Sequence, residues 1–237
     1  MFTLIKEQSA KGLPARLGMA TGQTMIGLYE ELARSLNQDQ TDLSRLSTYN
    51  LDEYLAPDGG AVANDFPLGY RRYMREKFYS LLSPKLGFSK DRMFFPDPKN
   101  PVRYDDDIQK TGGLDLQLLG VGFNGHIAFN EPISRHEISV ENFLTLPSRV
   151  VDLKELTIKT NADLTANGNL DRVPKQAVTM GMKTILHAKK ILVLACFKEQ
   201  SSPLKALKQG VITPEIPITA LIRHPDCVII HTQDISL

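Results

Sequence analysis

The sequence lacks several features that would assign it to particular classes of protein. It has only two cysteines, Cys196 and Cys227, both in apolar segments, which excludes a disulfide framework and favours a reducing compartment. A formal net charge of +1 argues against nucleic acid or an anionic membrane surface as the main partner. No apolar run reaches the length of a membrane span, and the first residues lack the apolar core of a signal peptide. We therefore expect a cytoplasmic location.

What is present is the composition of an ordinary globular protein. Of the 237 residues, 42% are hydrophobic and 23% are charged. The chain shows no internal repeat and no low-complexity tract, and no change in composition marks a boundary between domains. A chain of this length and composition suits one large α/β domain, so we expect a single domain over residues 1–237.

Short apolar segments alternate with segments of helical periodicity. We predict strands at residues 16–20, 45–55, 93–96, from 116 onward, 143–151, 190–197 and 227–232. We predict helices at residues 25–36, 69–82, 152–162, 175–188, 201–209 and 218–223, and a charged loop at 99–113. Strands that alternate with helices are typical of a three-layer α/β/α fold with a mostly parallel sheet.

One segment, LQLLGVGFNGHIAFNEP at residues 116–132, concentrates side chains that can do chemistry. Its apolar start predicts a buried strand, and the glycines that follow predict a sharp turn. Asn124, His126 and Glu131 come after this turn, at the edge where an open α/β sheet binds its ligands. A histidine oriented by a carboxylate is suited to proton transfer near neutral pH. The alternative interpretation is a loop histidine and a surface carboxylate without a catalytic role.

Two other predicted strands end in polar residues at the same edge of the sheet. The strand at 16–20 is followed by a glycine-containing turn of four residues: Thr21, Gly22, Gln23 and Thr24. A strand, a turn and a helix in succession can offer N–H groups to an anion, although a plain tight turn has the same pattern. The strand at 45–55 carries Asp52 and Glu53, which point to opposite sides, so that at most one of them faces a given site.

Five segments of the chain resemble blocks of the glucosamine-6-phosphate deaminase (isomerase) family, and together they extend over nearly the whole length. They are LGMATGQT at 17–24, YNLDEYL at 49–55, GGLDLQLLGVGFNGHIAFNEP at 112–132, VPKQAVTMGMKTILHAKKILVLA at 173–195 and PITALIRHP at 217–225. The third block is highly specific. The related 6-phosphogluconolactonases share its GxGxDGH start but usually continue with a Thr-Ala-Ser-Leu-Phe-type run, so the IAFNEP continuation sides with the deaminases.

The resemblance implies a Rossmann-like fold and an enzyme that needs no nucleotide, metal or other cofactor. It implies that the chain converts glucosamine 6-phosphate, or an epimer such as galactosamine 6-phosphate, and water into the ketose 6-phosphate and ammonia. Asp52 would move a proton from C2 to C1, His126 would open the sugar ring, and Asn124 and Glu131 would assist His126. The turn at 21–24 would bind the phosphate. The expected partner is this small molecule, in a monomer or small homo-oligomer.

The residues expected to complete the phosphate site depart from the family pattern. Asp163 stands where the family has an arginine, and an ungapped alignment places Gln200 at the family's lysine. A carboxylate near a phosphate would repel it, so either phosphate binding is weak or other cations replace the missing pair. The candidates for replacement are Lys183, Lys198 and Arg172, each close in sequence to a vacated position.

Three expectations remain open from the sequence. The family's first strand precedes the position of residue 17, which predicts that the strand at 16–20 has lost a neighbour and needs protection at an exposed edge. A phosphogluconolactonase-like hydrolase and a non-catalytic sugar-phosphate binding protein are the alternatives to a deaminase. The joint presence of Asp52, His126 and Glu131 favours an enzyme.

Overall fold

The computed structural model describes residues 1–235, in which nine strands and eight α-helices are joined by loops and short 3-10 helices. The strands are β1 Ala15–Met19, β2 Leu46–Asn50, β3 Asp52–Tyr54, β4 Met93–Phe94, β5 Leu116–Gly120, β6 Arg149–Asp152, β7 Gln176–Thr179, β8 Ile191–Ala195 and β9 Cys227–His231. The helices are α1 Phe2–Ala10, α2 Ile26–Asp39, α3 Tyr70–Lys77, α4 Pro101–Lys110, α5 Val140–Leu144, α6 Glu155–Thr165, α7 Met182–Leu186 and α8 Ser201–Lys208.

Six of the strands form a parallel sheet in the order β4-β2-β1-β5-β8-β9. From β1 the chain builds the sheet outward in one direction through β2 and β4, and then in the other through β5, β8 and β9. The change of direction lies between β1 and β5, and ligands of open α/β sheets bind beyond the carboxyl ends of the strands at such a switch. The predicted Rossmann-like α/β/α fold with a mostly parallel sheet is confirmed.

The prediction that the first strand lies at an exposed edge is wrong. All five residues of β1 pair with β2, and Leu17 and Gly18 also pair with β5 on the other side. The close fit on that side depends on Gly18, since a Cβ atom there would lie 2.0 Å from the Oε1 atom of Gln117. The strand is interior because β5, which comes much later in the chain, supplies the second neighbour.

The remaining strands form a smaller antiparallel sheet in the order β3-β7-β6. The predicted single strand at 45–55 is therefore wrong, because the chain leaves the parallel sheet after β2 and enters the second sheet with β3. Leu51 makes this transfer: its N–H donates to the carbonyl of Met19 at 3.0 Å, and its carbonyl accepts from the N–H of Met180 at 2.7 Å. The transfer places Asp52 directly beyond the carboxyl end of β2 in the parallel sheet.

Three other segments differ from the sequence-based assignment. The predicted loop at 99–113 contains α4, which Pro101 begins and which Asn100 caps by accepting from the N–H of Arg103 at 3.3 Å. The predicted helix at 175–188 contains β7 followed by the short α7, because its apolar residues fill the gap between β3 and β6. The predicted strand at 143–151 is divided between the end of α5 and β6, and β6 does form an edge of the smaller sheet.

Buried apolar side chains form one large cluster around the parallel sheet and a smaller one beside the antiparallel sheet. The smaller cluster includes Tyr54 and Phe129, and their rings pack against that of Tyr70 at the start of α3. The segment that follows β5 is thereby fixed between the two sheets. Within residues 1–235, no helix combines the length and the apolar character needed to cross a membrane.

Candidate active site

A cavity of about 480 Å³ opens at the carboxyl ends of the parallel strands, at the switch between β1 and β5. Residues from each predicted segment line it: Thr21, Gly22, Gln23 and Thr24 after β1, Asp52 on β3, and Asn124 and His126 after β5. Side chains of α3 and α6 complete the wall. The structure therefore brings together residues that are more than a hundred positions apart in the sequence.

The loop after β5 is shaped by glycine so that His126 can fold back over it. A Cβ atom at Gly122 would lie 2.3 Å from the Cε1 atom of His126, so only glycine leaves room for the imidazole ring. Gly125 has a φ of 88°, a backbone conformation that favours glycine. The Oδ1 atom of Asn124 accepts from the N–H of His126 at 3.1 Å. These contacts fix the direction of the ring toward the cavity.

Glu131 lies behind His126 and is buried. Its Oε2 atom is 3.5 Å from the Nδ1 atom of His126 and accepts from the Nδ2 atom of Asn124 at 2.7 Å. Thr157 on α6 also reaches Nδ1 of His126, at 3.3 Å. A carboxylate at Nδ1 favours the tautomer with the proton on that nitrogen, which leaves Nε2 as the acceptor for a substrate.

The environment of Glu131 keeps it ionised. Burial acts to raise the pKa of Glu131, but the hydrogen bond and charge of His126, with hydrogen bonds from Thr157 and Asn124, outweigh burial and lower the pKa to about 2. Glu131 is therefore a permanent negative charge near neutral pH, 3.5 Å from Nδ1 of His126. In this geometry Glu131 can orient His126 and balance its charge, and it does not line the cavity.

The surroundings of Asp52 shift its pKa in the opposite direction from that of Glu131. Its Oδ1 atom accepts from the hydroxyl of Thr179 on β7 and from the N–H of Phe129 at 3.2 Å, whereas Oδ2 makes no hydrogen bond to the described part of the chain. Burial raises the pKa of Asp52 to about 7, although both hydrogen bonds and the charge of His126 act to lower it. A carboxyl group with this pKa, one fixed oxygen and one unoccupied oxygen can take and return a proton at neutral pH.

Glu53 faces away from the cavity, as the alternation along a strand requires. Its carboxylate accepts from the backbone N–H groups of Tyr70 and Arg71, both at 2.9 Å, and so anchors the first turn of α3. The sequence-based expectation that only one of the two carboxylates faces the site agrees with this arrangement. Glu53 has a structural role, because it fixes the position of α3 against the second sheet.

The turn after β1 forms the other end of the cavity. Gly22 has a φ of 115°, and the hydroxyl of Tyr73 on α3 donates to its carbonyl at 2.6 Å. The side-chain amide of Gln23 donates to the carbonyl of Leu164 on α6 at 3.3 Å, and Thr24 accepts from the thiol of Cys196 at 3.2 Å. The turn is thereby tied to α3, α6 and the end of β8.

The structure does not bring the predicted replacement cations to this end. Lys183 on α7 and Lys198 after β8 are exposed, and neither lines the cavity. Arg172 lines a separate cavity of about 780 Å³ beside the second sheet. The predictions for Lys183 and Arg172 were based on nearness in sequence, but β7 and the second sheet carry both residues away from the site.

The two residues that depart from the family pattern also behave differently from the expectation. Asp163 is exposed and does not line the cavity, so the predicted repulsion of phosphate has no structural basis. Gln200 is buried: its Oε1 atom accepts from the N–H groups of Cys196 and Phe197, both at 2.8 Å, and its Nε2 atom donates to the carbonyl of Val121 at 2.7 Å. Gln200 joins the ends of β5 and β8, and its side-chain oxygen and nitrogen are already engaged.

Several polar residues at the cavity were not predicted from the sequence, and four of them contact its ionisable groups or supply positive charge. Thr157 and Thr179 contact the ionisable groups His126 and Asp52, and the cations that line the cavity are Arg72 and Lys77 of α3. No motif identifies the two threonines. The predicted helix at 69–82 is rich in arginine and lysine, but the face that it turns to the cavity is set by tertiary contacts. Within residues 1–235, no group of three or more His, Cys, Asp or Glu side chains is arranged to hold a metal ion.

Two known proteins that match this chain at more than 30% identity are glucosamine-6-phosphate deaminases. A glucosamine-6-phosphate deaminase of Clostridium perfringens strain 13 is 39% identical over 224 residues, which are 92% of this chain and 85% of the relative. A solved structure of a monomeric glucosamine-6-phosphate deaminase matches with a TM-score of 0.84 at 33% identity, over 98% of this chain and 90% of that one. The 6-phosphogluconolactonase of Thermotoga maritima matches with a TM-score of 0.64 at 18% identity, over 97% of this chain and 92% of that one, and so shares the fold. No family model matches the sequence.

Proposed function

The chain belongs to the glucosamine-6-phosphate deaminase family, and we propose that it converts glucosamine 6-phosphate and water into fructose 6-phosphate and ammonia. The observation that carries the proposal is the state of Asp52. A buried carboxyl with a pKa of about 7 and an unoccupied oxygen toward a sugar-sized cavity is suited to moving a proton between adjacent carbons.

The reaction begins with opening of the sugar ring, which we assign to His126. The ring oxygen must gain a proton and the C1 hydroxyl must lose one, so a single group that can both donate and accept suits the step. Glu131 is 3.5 Å from Nδ1 of His126 and stabilises the protonated imidazole, while Asn124 holds both residues in place. The product of this step is the open-chain aldehyde.

Proton transfer from C2 to C1 follows, and we assign it to Asp52. Oδ2 removes the proton from C2, which is acidified by the neighbouring C1 carbonyl, while O1 takes up a proton to give an enolamine. The proton then returns from Oδ2 to C1 as the amino group loses one proton, which gives a hydroxyl at C1 and an imine at C2. Water then adds to C2, and the C2–N bond breaks to release ammonia and leave the ketone of fructose 6-phosphate. Thr179 and the N–H of Phe129 support this step because they hold Oδ1 and leave Oδ2 toward the substrate.

The test is ammonia release from a panel of purified substrates. We expect the highest kcat/KM with glucosamine 6-phosphate or galactosamine 6-phosphate, and much lower values with mannosamine 6-phosphate and unphosphorylated glucosamine. Hydrolysis of 6-phosphogluconolactone is measured beside it. Lactone hydrolysis without ammonia release would replace the proposal with a hydrolase, and binding without either reaction would replace it with a binding protein.

Two further properties follow as proposals. The chain acts as a monomer, an assignment supported by its likeness to a solved deaminase described as monomeric. It works in the cytoplasm, which is supported by a phosphorylated sugar as the proposed substrate and by the two cysteines, which are free within residues 1–235. Light scattering at micromolar concentration tests the first property.

A further inference from the structure

The proposed substrate carries a phosphate of nearly two negative charges, and a cavity that binds it needs positive charge. The residues at which this charge was expected do not provide it: Gln200 is engaged with backbone groups, and position 163 lies outside the cavity. The turn after β1 offers neutral hydroxyl and N–H groups only. The source of the positive charge must therefore be another part of the cavity wall.

Helix α3 carries four basic residues, and they lie in different environments. Arg71 is paired with Glu53 at 3.5 Å and its guanidinium lies over the ring of Phe95, so its position is fixed away from the cavity. Arg75 is exposed and does not line the cavity. Arg72 and Lys77 do line it, and among residues 1–235 they are its only lysine and arginine side chains.

The position of these two cations relative to the turn at 21–24 is fixed by Tyr73. Its hydroxyl donates to the carbonyl of Gly22 at 2.6 Å, so this face of α3 lies directly against the turn. Lys77 is four residues after Tyr73 and therefore projects from the same face of the helix. Arg72 immediately precedes Tyr73, so it is turned by about 100° around the helix axis from Tyr73, and it lies five residues before Lys77. The two side chains thus flank the contact between α3 and the turn.

We propose that Arg72 and Lys77 bind the phosphate of the substrate together with the turn at residues 21–24, so that α3 supplies the cations of the phosphate site. This inference depends on the proposed function for the identity of the ligand. Lys77 is half-buried and makes no ion pair within the described residues, so its charge is available to a ligand. Arg72 is paired with Glu76 at 2.7 Å, and both residues line the cavity.

Because Arg72 is paired with Glu76, the proposal predicts opposite effects on phosphate binding for substitutions of the cations and of Glu76. Glu76 is a negative charge at the proposed phosphate site and it competes with the phosphate for Arg72. Removing this charge in Glu76→Gln should therefore strengthen phosphate binding, whereas removing either cation should weaken it. A purely structural role of the pair predicts the same direction for Arg72→Ala and Glu76→Gln.

The experiment measures kcat and KM for glucosamine 6-phosphate and for unphosphorylated glucosamine in each variant. Loss of a charge-assisted hydrogen bond corresponds to about tenfold to a hundredfold in affinity. We expect Lys77→Ala and Arg72→Ala to raise KM for the phosphorylated sugar by that amount and to reduce the preference for it over glucosamine. Lys77→Arg, which keeps the charge, should restore most of the preference, and Glu76→Gln should lower KM by about twofold to fivefold.

Arg75→Ala is the matched control, because it removes the same charge from the same helix outside the cavity. It should leave KM within about twofold of wild type. The proposal is overturned if Lys77→Ala and Arg72→Ala both stay within twofold of wild type, or if Arg75→Ala has an equal effect. A general effect of charge on α3 would explain the latter result.

Calorimetric titration of glucosamine 6-phosphate into the Asp52→Asn variant, with and without Lys77→Ala, separates this inference from the proposed function. Binding that depends on Lys77, in a protein whose wild type releases no ammonia, supports the phosphate site and rejects the proposed function. Ammonia release that does not change when Lys77 or Arg72 is substituted supports the proposed function and rejects the phosphate site on α3. Absence of any binding to the wild type rejects both.

Discussion

The two ends of the cavity differ in how their polar groups are held. At the acid–base end, Asp52 and Glu131 are buried and each is fixed by at least two hydrogen bonds, so their pKa values are far from the ordinary range. At the proposed phosphate end, Arg72 and Lys77 are only half-buried. Proton transfer requires a tuned pKa and a fixed direction, whereas phosphate binding requires positive charge within reach. Positive charge within reach of the phosphate can therefore come from α3, a different element from those that carry the family's cations.

A second contrast exists within the acid–base end itself. Burial dominates at Asp52 and raises its pKa to about 7, whereas the partners of Glu131 outweigh burial and lower its pKa to about 2. One carboxyl group can therefore exchange a proton near neutral pH and the other stays charged. Similar residues acquire different roles because of the groups that surround them.

Substitution of the proposed base should cause the largest loss of activity. Asp52→Asn keeps an oxygen that can accept from Thr179 and Phe129 but cannot take a proton, so kcat for ammonia release should fall on the order of 10³-fold. Exchange of the C2 proton with solvent, followed by NMR, should disappear with it. Substrate binding measured by calorimetry is the control and should persist. A kcat within tenfold of wild type would show that the acid–base end does not depend on Asp52.

The same variant should affect stability, with a dependence on pH that follows from the direction of the pKa shift. Because the folded-state pKa of Asp52 is raised from 3.8 to about 7, its ionisation costs nothing below pH 4, an increasing amount between pH 4 and 7, and the full amount above pH 7. At one unit per 1.36 kcal/mol, Asp52→Asn should be more stable than wild type by up to about 4 kcal/mol at pH 8. Urea unfolding at pH 4 and pH 8 measures the difference.

In the same urea unfolding experiment, Glu131→Gln should change the free energy of unfolding in the opposite direction from Asp52→Asn. The pKa of Glu131 is lowered to about 2, so its charge stabilises the fold above pH 4.5, and this contribution is lost as the pH falls toward 2. The variant should therefore be less stable than wild type at pH 8. If both variants shift stability in the same direction at pH 8, the contrast between the two carboxylates is wrong.

Substitution of His126 should cause the next largest effect on turnover. His126→Gln removes the proton shuttle, and we expect a loss of about 10²-fold with the ring-closed sugar. An open-chain analogue of the substrate bypasses the step and should show a much smaller loss. Glu131→Gln should act in the same direction by about tenfold, because it removes the orienting charge at 3.5 Å from Nδ1. Equal losses on both substrates would reject the assignment of ring opening to His126.

Thr179 tests whether the state of Asp52 is set by its surroundings. Its hydroxyl lowers the pKa of Asp52 against the effect of burial, so Thr179→Val should raise this pKa further. The acid limb of the profile of kcat/KM against pH should move up by about one unit, with about a fivefold loss at pH 7 that recovers at higher pH. Thr179→Ser keeps the hydroxyl and is the control. A loss that is independent of pH would indicate a structural effect only.

The grouping of the proposed acid–base residues at one end of the cavity could be predicted from the sequence, because these residues follow the ends of strands. Asn124, His126 and Glu131 lie within eight residues of one another. Asp52 follows β2, which only β1 separates from β5, and the parallel sheet brings the carboxyl ends of these strands together. The supporting threonines could not be predicted, since Thr179 is 127 positions from Asp52 and reaches it only through the second sheet. That sheet was itself missed, because β3 continues from β2 after a single residue.

The phosphate end was predicted less well, for a physical reason. Lys183, Lys198 and Arg172 are near the family's positions in sequence, but packing decides which side of an element faces a cavity, and none of the three lines it. The hydrogen bond from the hydroxyl of Tyr73 to the carbonyl of Gly22 orients one face of α3 toward the site, and nothing in the local sequence specifies that contact. The same limitation affected Asp163, which was expected at the phosphate and lies outside the cavity.

The smallest effect is expected at Asp163, and it tests whether position in the cavity, and not sequence alignment, decides which carboxylates matter. Asp163 is exposed and does not line the cavity, so its interaction with a bound phosphate is weakened by water and by salt. Asp163→Asn should therefore change KM for glucosamine 6-phosphate by less than about twofold. Glu76→Gln, which removes a carboxylate that does line the cavity, is the matched comparison and should lower KM by more. If Asp163→Asn lowers KM as much as Glu76→Gln does, the phosphate lies nearer α6 than α3, and the division of the cavity into its two ends must be redrawn.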